Sequence, residues 1–254
     1  MTDPALPAPG WAALRRMTPA RVALGRAGNA LPTAAHLDIL EAQARARDAV
    51  WSALDADALA AAVTPLGMPV LRAASQAPDR RTYLLRPDLG RRLRAEDAAA
   101  LAAQRRADAP LVFVVADGLS ASGVQAEAPA LLAAAVPLLR AAGVPLGPVV
   151  IATQGRVALG DAIGAALGAG MAAVLIGERP GLSAPASLGV YLTLDPRPGR
   201  TDAERNCLSN IRAGGLAPAA AATTLAWLVR EAGRIGATGI ALKDMRPTGP
   251  ALPP

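Results

Sequence analysis

The sequence predicts an α/β protein in which a mostly parallel sheet with flanking helices follows a mainly helical N-terminal region. After Pro110, short β-branched runs alternate with long stretches rich in Ala and Leu, which is the pattern of βαβ units. Before Pro110, apolar residues recur at helical spacing. At 254 residues, the chain is long enough to bury a sizeable core, as one large domain or one domain with an appendage.

The N-terminal part divides into a tail and a helical region. We expect residues 1–17 to form a flexible tail, because the first ten positions are rich in Pro and Ala. Residues 18–107 form the mainly helical region. Apolar spacing within it predicts one helix over about 32–54 and a second over about 88–106.

Residues 108–245 form the predicted sheet domain, and the Pro-rich residues 246–254 should be a disordered tail. In chain order, the predicted strands are Leu111–Ala116, Pro148–Ala152, Met171–Ile176, Val190–Leu194 and Gly239–Leu242. The predicted helices are Ala121–Ala142, Leu159–Leu167 and Pro218–Arg234.

The composition excludes several classes of site. One Cys excludes an intramolecular disulfide framework, and one Cys with one His excludes a zinc finger. We therefore expect no metal ligands in this chain. The single His36 also removes most Ser-His-Asp and Cys-His mechanisms unless it takes part itself. It falls in the first turns of a predicted helix, and we expect it at the surface.

The charge pattern does not indicate a nucleic-acid or membrane partner. The net charge is only +6, and all but one of the 26 basic residues are Arg, the exception being Lys243. Aromatic residues make up 2% of the chain, which is too few for a base-stacking surface. The N-terminus lacks the apolar core of a signal peptide, and the most apolar stretches are shorter than a bilayer span. We expect a cytoplasmic protein.

Three loops should share one edge of the sheet, because each follows the carboxyl end of a predicted strand. They cover residues 117–122, 153–157 and 177–188. In open α/β sheets, ligands bind at this edge. A phosphate-binding glycine loop is missing, since Gly168-Ala-Gly170 follows a helix and is better interpreted as its C-terminal cap. An ordinary nucleotide enzyme is therefore disfavoured.

Several residues within or near this edge have both a functional and a structural interpretation. Glu178 and Arg179 could contact a ligand or form a loop pair shaped by the following Pro and Gly, and spacing alone does not separate the two. Residues 195–211 are predicted as a long polar loop, which indicates function. Composition alone favours Cys207, within that loop, as a small structural residue. Six Arg within residues 80–94 fit either a solvated helix face or a subunit contact.

Taken together, these segments resemble the small subunit of ethanolamine ammonia-lyase, an adenosylcobalamin enzyme that converts ethanolamine to acetaldehyde and ammonia. GERPGL and ERNCLSNI are the most specific matches. The matching segments, in the family's order, are Ala20–Gly28, Tyr83–Leu93, Asp117–Ser120, Gly155–Val157, Gly177–Leu182 and Thr201–Ile211.

The resemblance implies a carbon–nitrogen lyase that is active only as a complex with a large subunit. That subunit is a β/α barrel with the substrate site, and cobalamin lies between the two subunits. We expect residues 108–245 to be the Rossmann-like cobalamin-binding domain of the small subunit and residues 18–107 to contact the large subunit. The resemblance also implies a higher oligomer of αβ pairs. Val157, Glu178 and Cys207 match the positions associated with the cofactor. No residue of this chain is expected to be catalytic, because the radical chemistry belongs to the cofactor.

Two further expectations follow from differences between this sequence and the patterns of related proteins. Many cobalamin-binding domains of this kind use a D-x-H-x-x-G motif, and Asp117-Gly-Leu-Ser has no His, so we predict a base-on cofactor. Family members often carry a longer N-terminal extension that directs them to a bacterial microcompartment. Residues 1–10 should not form such an amphipathic helix, which counts against packaging. A stand-alone cobalamin carrier or chaperone is the alternative function.

Overall fold

A computed structural model describes residues 9–108 and 110–245. Within them, six strands form one sheet in the order β1-β3-β2-β4-β5-β6. The strands are β1 Val70–Ala74, β2 Leu111–Ala116, β3 Leu146–Thr153, β4 Met171–Gly177, β5 Leu188–Leu194 and β6 Arg205–Ile211. The helices are α1 Pro9–Met17, α2 Thr33–Trp51, α3 Ala56–Val63, α4 Arg80–Leu85, α5 Ala95–Ala102, α6 Ala121–Ala141, α7 Leu159–Leu167 and α8 Pro218–Ile235.

The centre of the sheet is covered on both faces. Every residue of β2 is buried, and alternate side chains enter opposite cores. Phe113 and Val115 pack with residues of α3, α6 and α8, whereas Val112 and Val114 pack with α5 and α7. The β1–β3, β3–β2 and β2–β4 pairs are parallel. The predicted fold class, a mostly parallel sheet with flanking helices, is therefore confirmed.

Local sequence signals account for the ends of the sheet-domain helices. The Ser120 hydroxyl accepts a hydrogen bond from the Gly123 N–H at the start of α6, and Pro218 occupies the first turn of α8. Gly168 ends α7 in the left-handed conformation, at φ 68°, so its interpretation as a cap is confirmed.

The helix α6 is longer than the apolar stretches considered from sequence. Among the described residues it is the one helix long and apolar enough, by length and composition, to cross a membrane. Nine of its residues are buried, and they pack against α8 and the sheet as part of the main core. A core helix passes the same length test, so this finding is weak as an indication of a membrane.

The region predicted as mainly helical contains a strand. Val70–Ala74 pairs in parallel with β3 at the edge of the sheet, so this part of the chain is continuous with the sheet domain. The single helix expected over 88–106 is wrong. The chain instead forms α4, a 3-10 turn at Leu89–Arg91 and the separate helix α5. Short apolar runs do not distinguish a strand from a helix turn, which is why periodicity missed β1.

The polar segment predicted as a 17-residue loop is also ordered into regular structure. It contains a 3-10 turn at Asp202–Glu204 and then the strand β6. β6 pairs antiparallel with β5, which itself pairs antiparallel with β4. Only one face of this edge strand is covered, so its exposed polar residues resemble a loop in sequence. Gly239–Leu242, expected to continue the strands, forms a 3-10 turn over Gly239–Ala241.

The N-terminal part of the chain is helical from Pro9. Within the tail expected over 1–17, Pro9–Met17 forms the helix α1. The Arg15 guanidinium joins it to the following segment by donating to the carbonyl of Val22 at 3.0 Å. His36 lies in α2 and is exposed, as expected. Residues 1–8 and the tail expected over 246–254 lie outside the described residues.

Candidate functional site

A cavity of about 440 Å³ opens at the carboxyl edge of the central strands. Its walls come from the loops after β2, β3 and β4, which are the loops that the topology brings to one edge. Val157 and Glu178, two of the three residues predicted to contact a cofactor, line it. The remaining lining residues are Tyr83, Gly118, Leu119, Arg156, Ile176, Gly177, Arg179 and Tyr191.

Asp117 ties two of these loops together. Its carboxylate accepts hydrogen bonds from the backbone N–H groups of Gly118 at 2.9 Å, Gln154 at 2.9 Å and Gly155 at 3.0 Å. Burial raises the pKa of this carboxyl group, against the lowering effect of the backbone donors and of the nearby Arg80. Asp117 therefore fixes the loop after β2 to the loop that carries Val157.

The N-terminal region supports the same loop through Tyr83, which is fully buried. Its hydroxyl donates to the Gly155 carbonyl at 3.1 Å. The guanidinium carbons of Arg156 and Arg80 lie 4.3 and 4.7 Å from the centroid of its ring. Arg80 also donates to the Gly118 carbonyl at 2.7 Å and lies 3.6 Å from the Asp117 carboxylate.

Sequence reasoning missed this role of the arginine cluster. It treated the six Arg as a solvated face or a subunit contact, whereas Arg80 reaches the two loops at the sheet edge. Arg86 behaves as expected of a solvated face, since it pairs with Asp88 on the surface at 2.8 Å. Asp79, which caps α4 through the Thr82 N–H, was the available signal that a helix begins at Arg80 rather than near Asp88.

Glu178 is held by two donors. Its Oε2 accepts from the Ser187 hydroxyl at 2.7 Å and from the Asn210 N–H at 3.0 Å. Asn210 lies on β6, so the carboxylate connects the loop after β4 to the strand that carries Cys207. Among the described residues Glu178 makes no ion pair with Arg179, which argues against the simple loop-pair interpretation. Arg179 is exposed on the cavity wall.

Cys207 does not line the cavity, but its neighbour on β5 does. It is the direct partner of Tyr191 across the β5–β6 pair, and the thiol and the Tyr191 hydroxyl form a hydrogen bond. Tyr191 itself lines the cavity. Cys207 is exposed as a residue, yet burial around its sulfur raises the pKa of the thiol. A protonated, polarisable thiol suits packing against a ligand better than nucleophilic attack.

A buried ion pair secures β6 to α7. Arg205 donates to both carboxylate oxygens of Asp161, at 2.6 and 2.7 Å, and both side chains are 1% exposed. It also donates to the Thr193 hydroxyl and the Arg200 carbonyl. Because α7 follows the Val157 loop directly and Cys207 lies two residues after Arg205, the pair fixes two predicted contact positions relative to each other.

The N-terminal segment that precedes α2 contacts the outer end of the GERPGL loop. Arg21 donates to the Leu182 carbonyl at 3.4 Å, and the Ser183 hydroxyl donates to the Pro19 carbonyl at 3.2 Å. Arg21 is itself fixed by Asp38 of α2 at 2.6 Å. The loop is thus supported from both sides: by the sheet behind it and by this segment in front.

No group of three or more His, Cys, Asp or Glu residues within 9–108 and 110–245 could hold a metal ion. The loops at the cavity pack closely instead, and two arginines at this edge of the sheet have unpaired donors. A Cβ on Gly118 would lie 2.3 Å from the Gly177 carbonyl oxygen, so only glycine permits these loops to approach. Arg80 Nη2 and Arg156 Nε are buried without a hydrogen-bond partner.

Comparisons with known proteins agree with this geometry. The family model for the ethanolamine ammonia-lyase light chain matches residues 8–243. The ethanolamine ammonia-lyase small subunit of Bradyrhizobium diazoefficiens is 55% identical over 245 residues, covering 96% of this chain and 94% of the relative. The small subunits of Rhodopseudomonas palustris and Azotobacter vinelandii are each 52% identical, covering 91% and 92% of this chain and 88% of each relative. The chain belongs to the family of ethanolamine ammonia-lyase light chains, the small subunits of that lyase.

Proposed function

We propose that this chain is the cofactor-holding subunit of an adenosylcobalamin-dependent ethanolamine ammonia-lyase. Its cavity forms one wall of the cobalamin site, and a large subunit closes the other side and binds the substrate. The observation that carries the proposal is the meeting of Val157 and Glu178 in one cavity, with Cys207 joined to it through Tyr191.

The residues present suit a large ligand rich in amide and phosphate oxygens. The Arg156 guanidinium on the cavity wall is short of hydrogen-bond acceptors, and donors left without partners are costly. Glu178 Oε1 accepts no hydrogen bond from the described residues and could accept one from a ligand amide. Val157 supplies an apolar contact. Together these groups fit the face of a corrin ring with its amide side chains.

The bound cofactor supplies the radical that starts the rearrangement of ethanolamine. This chain contributes position and shielding rather than acid–base chemistry. Burial raises the pKa of the Tyr83 hydroxyl to about 12 and raises the pKa of the Cys207 thiol. Both groups therefore stay protonated at neutral pH, and the Tyr83 hydroxyl acts as a hydrogen-bond donor. We assign no catalytic residue to this chain.

We propose that cobalamin binds base-on, with its own dimethylbenzimidazole as lower ligand. His36 lies in α2 and is exposed, and the Asp117 carboxylate, which would orient a coordinating His, is occupied by three backbone N–H groups. Labelling the protein with nitrogen-15 should leave the hyperfine pattern of the cobalt(II) EPR spectrum unchanged. An altered splitting would show that a protein nitrogen is the ligand.

Activity measurements separate the proposal from the alternative of a stand-alone cobalamin carrier. The chain alone, the large subunit alone and their mixture are each assayed for ethanolamine deamination with adenosylcobalamin. We expect turnover only in the mixture, together with copurification of the two chains as αβ pairs in a higher oligomer. Tight cobalamin binding by the chain alone, with no gain in activity on mixing, would favour the carrier.

We propose that this complex acts in the cytoplasm. The sequence counted against packaging into a microcompartment because residues 1–10 were not expected to form an amphipathic helix. Pro9–Met17 is nevertheless helical, with Trp11 and Leu14 exposed on it, so this physical objection applies only to the residues before it. A fusion of residues 1–20 to a fluorescent protein should remain outside shells; entry into them would contradict the cytoplasmic location.

A further inference from the structure

The guanidinium of Arg156 is held in place on the wall of the cavity. Its carbon lies 4.3 Å from the centroid of the buried Tyr83 ring, and its Nη2 donates to the Tyr83 carbonyl at 3.3 Å. The Arg156 backbone N–H donates to the Gly90 carbonyl at 2.8 Å. The position of this side chain is thus set before any ligand binds, which lowers the entropic cost of a contact.

This held guanidinium lacks acceptors. The Arg guanidinium carries five N–H donors, and among the described residues that of Arg156 makes one hydrogen bond and has no carboxylate within 4.0 Å. Its Nε is buried without a partner. Since Nη2 contacts Tyr83 and Nε is enclosed, Nη1 is the donor that remains for the cavity. A fixed positive group short of acceptors favours an anionic or carbonyl oxygen.

We propose that Arg156 binds an acceptor oxygen of the corrinoid ligand from this wall, as a binding residue additional to Val157, Glu178 and Cys207. The inference rests on the proposed function, because it takes cobalamin as the ligand. Cobalamin offers two such acceptors: the phosphate of its nucleotide loop and the carbonyls of its amide side chains. Arg pairs well with phosphate because the charge and the planar donor fork match it.

The test measures binding of cobalamin to the complex of this chain with the large subunit, by the change in its visible spectrum on titration. Arg156→Met keeps an unbranched stem against Tyr83 and removes the donors. Arg230→Met, on the exposed side of α8, is the matched control for loss of one surface charge. Because a hydrogen bond to a charged group contributes about 1.5–3 kcal/mol, we expect Arg156→Met to weaken binding by about 10- to 100-fold.

Cobinamide, which lacks the phosphate and the nucleotide, distinguishes the two acceptors. If the phosphate is the partner, removing it from the ligand weakens binding to the wild type much more than to Arg156→Met. An equal loss in both proteins assigns the contact to an amide carbonyl, and Arg156→Lys should then recover part of the affinity. Thermal unfolding of the ligand-free complexes should be the same for wild type and variants.

Unchanged cobalamin affinity in Arg156→Met would overturn the inference and leave the proposed function standing. A loss of affinity accompanied by an equal fall in the unfolding temperature, with no recovery in Arg156→Lys, would also overturn it, because Arg156 would then act only on the fold. If the wild-type complex binds neither cobalamin nor cobinamide, the proposed function itself fails.

Discussion

Two arginines, Arg205 at the start of β6 and Arg156 in the loop after β3, differ in how fully their hydrogen-bond donors are paired. The Arg205 side chain is 1% exposed and is paired bidentately with Asp161, with further acceptors in the Thr193 hydroxyl and the Arg200 carbonyl. The Arg156 guanidinium is stacked on Tyr83 and makes one hydrogen bond, at 3.3 Å. A guanidinium whose donors are paired within the protein, here called saturated, belongs to the scaffold. One whose donors are unpaired, on a cavity wall, can donate to a ligand.

Breaking the saturated pair should have the largest effect. Asp161→Asn leaves Arg205 buried without its countercharge, and removing one partner of such a pair costs about 3–5 kcal/mol. We expect a clear fall in the free energy of unfolding of this chain, measured by urea denaturation. Asp202→Asn is the matched control, because Asp202 is 96% exposed and contacts Arg205 at 3.3 Å from the rim, so it should change little.

The double variant Asp161→Leu with Arg205→Met sharpens the comparison. Replacing both charges with apolar side chains should be less destabilising than Asp161→Asn alone, because no buried charge is left unpaired. If Asp161→Asn is as stable as Asp202→Asn, the pair does not secure β6 to α7. In that case Arg205 is not a scaffold residue, and its contrast with Arg156 does not hold.

A backbone contact at the cavity should have the next largest effect. Gly118→Ala introduces a Cβ 2.3 Å from the Gly177 carbonyl at a φ of +56°, so both steric overlap and backbone strain destabilise the fold. Gly143→Ala is the control, since Gly143 has a φ of +71° and nothing within 4 Å of its Cβ. We expect Gly118→Ala to lose about 1–3 kcal/mol more than Gly143→Ala, together with cobalamin affinity in the complex. Equal losses would mean that the two loops can separate freely.

The residues that sequence reasoning identified well are those fixed by local rules. Pro218 and Gly168 set helix ends through their own backbone preferences, and β2 is apolar throughout because both of its faces are covered. The strand Val70–Ala74 was missed because an edge strand of five residues, only one of which is buried, has no distinct period. β6 was missed because one of its faces is exposed and polar.

The site was predictable only in part, because some of its residues come together only through tertiary packing. Val157 and Glu178 came from motifs that resemble a family, and topology alone brought their loops to one edge. Tyr83 and Arg80 reach that edge from a distant part of the chain, which no spacing rule reveals. Asp161 and Arg205 are 44 residues apart, and nothing in the sequence marks either of them as one of a pair; only the packing of α7 against β6 brings them together.

The smallest expected effect concerns the exposed rim next to the saturated pair. The Glu204 carboxylate accepts from the Thr201 N–H at 2.7 Å and the Thr201 hydroxyl at 2.9 Å, and it pairs with Arg200. The Thr201 backbone N–H, followed by the Arg200 and Thr201 side chains, lowers the pKa of Glu204 from 4.5 to about 2. Since the folded value lies below the unfolded one, the stabilisation is present above pH 4.5 and is lost as the pH falls towards 2.

Glu204→Gln should therefore lower the unfolding temperature slightly at neutral pH, and the difference from wild type should shrink as the pH falls from 4.5 towards 2. Solvent screens this exposed group, so its effect should be well below that of Asp161→Asn. Asp161 does not account for such a pH dependence, because burial raises the pKa of its carboxyl group. Its contribution to the stability therefore changes with pH in the opposite direction. A difference that persists unchanged near pH 2 would mean that the charge of Glu204 is not what stabilises the turn before β6.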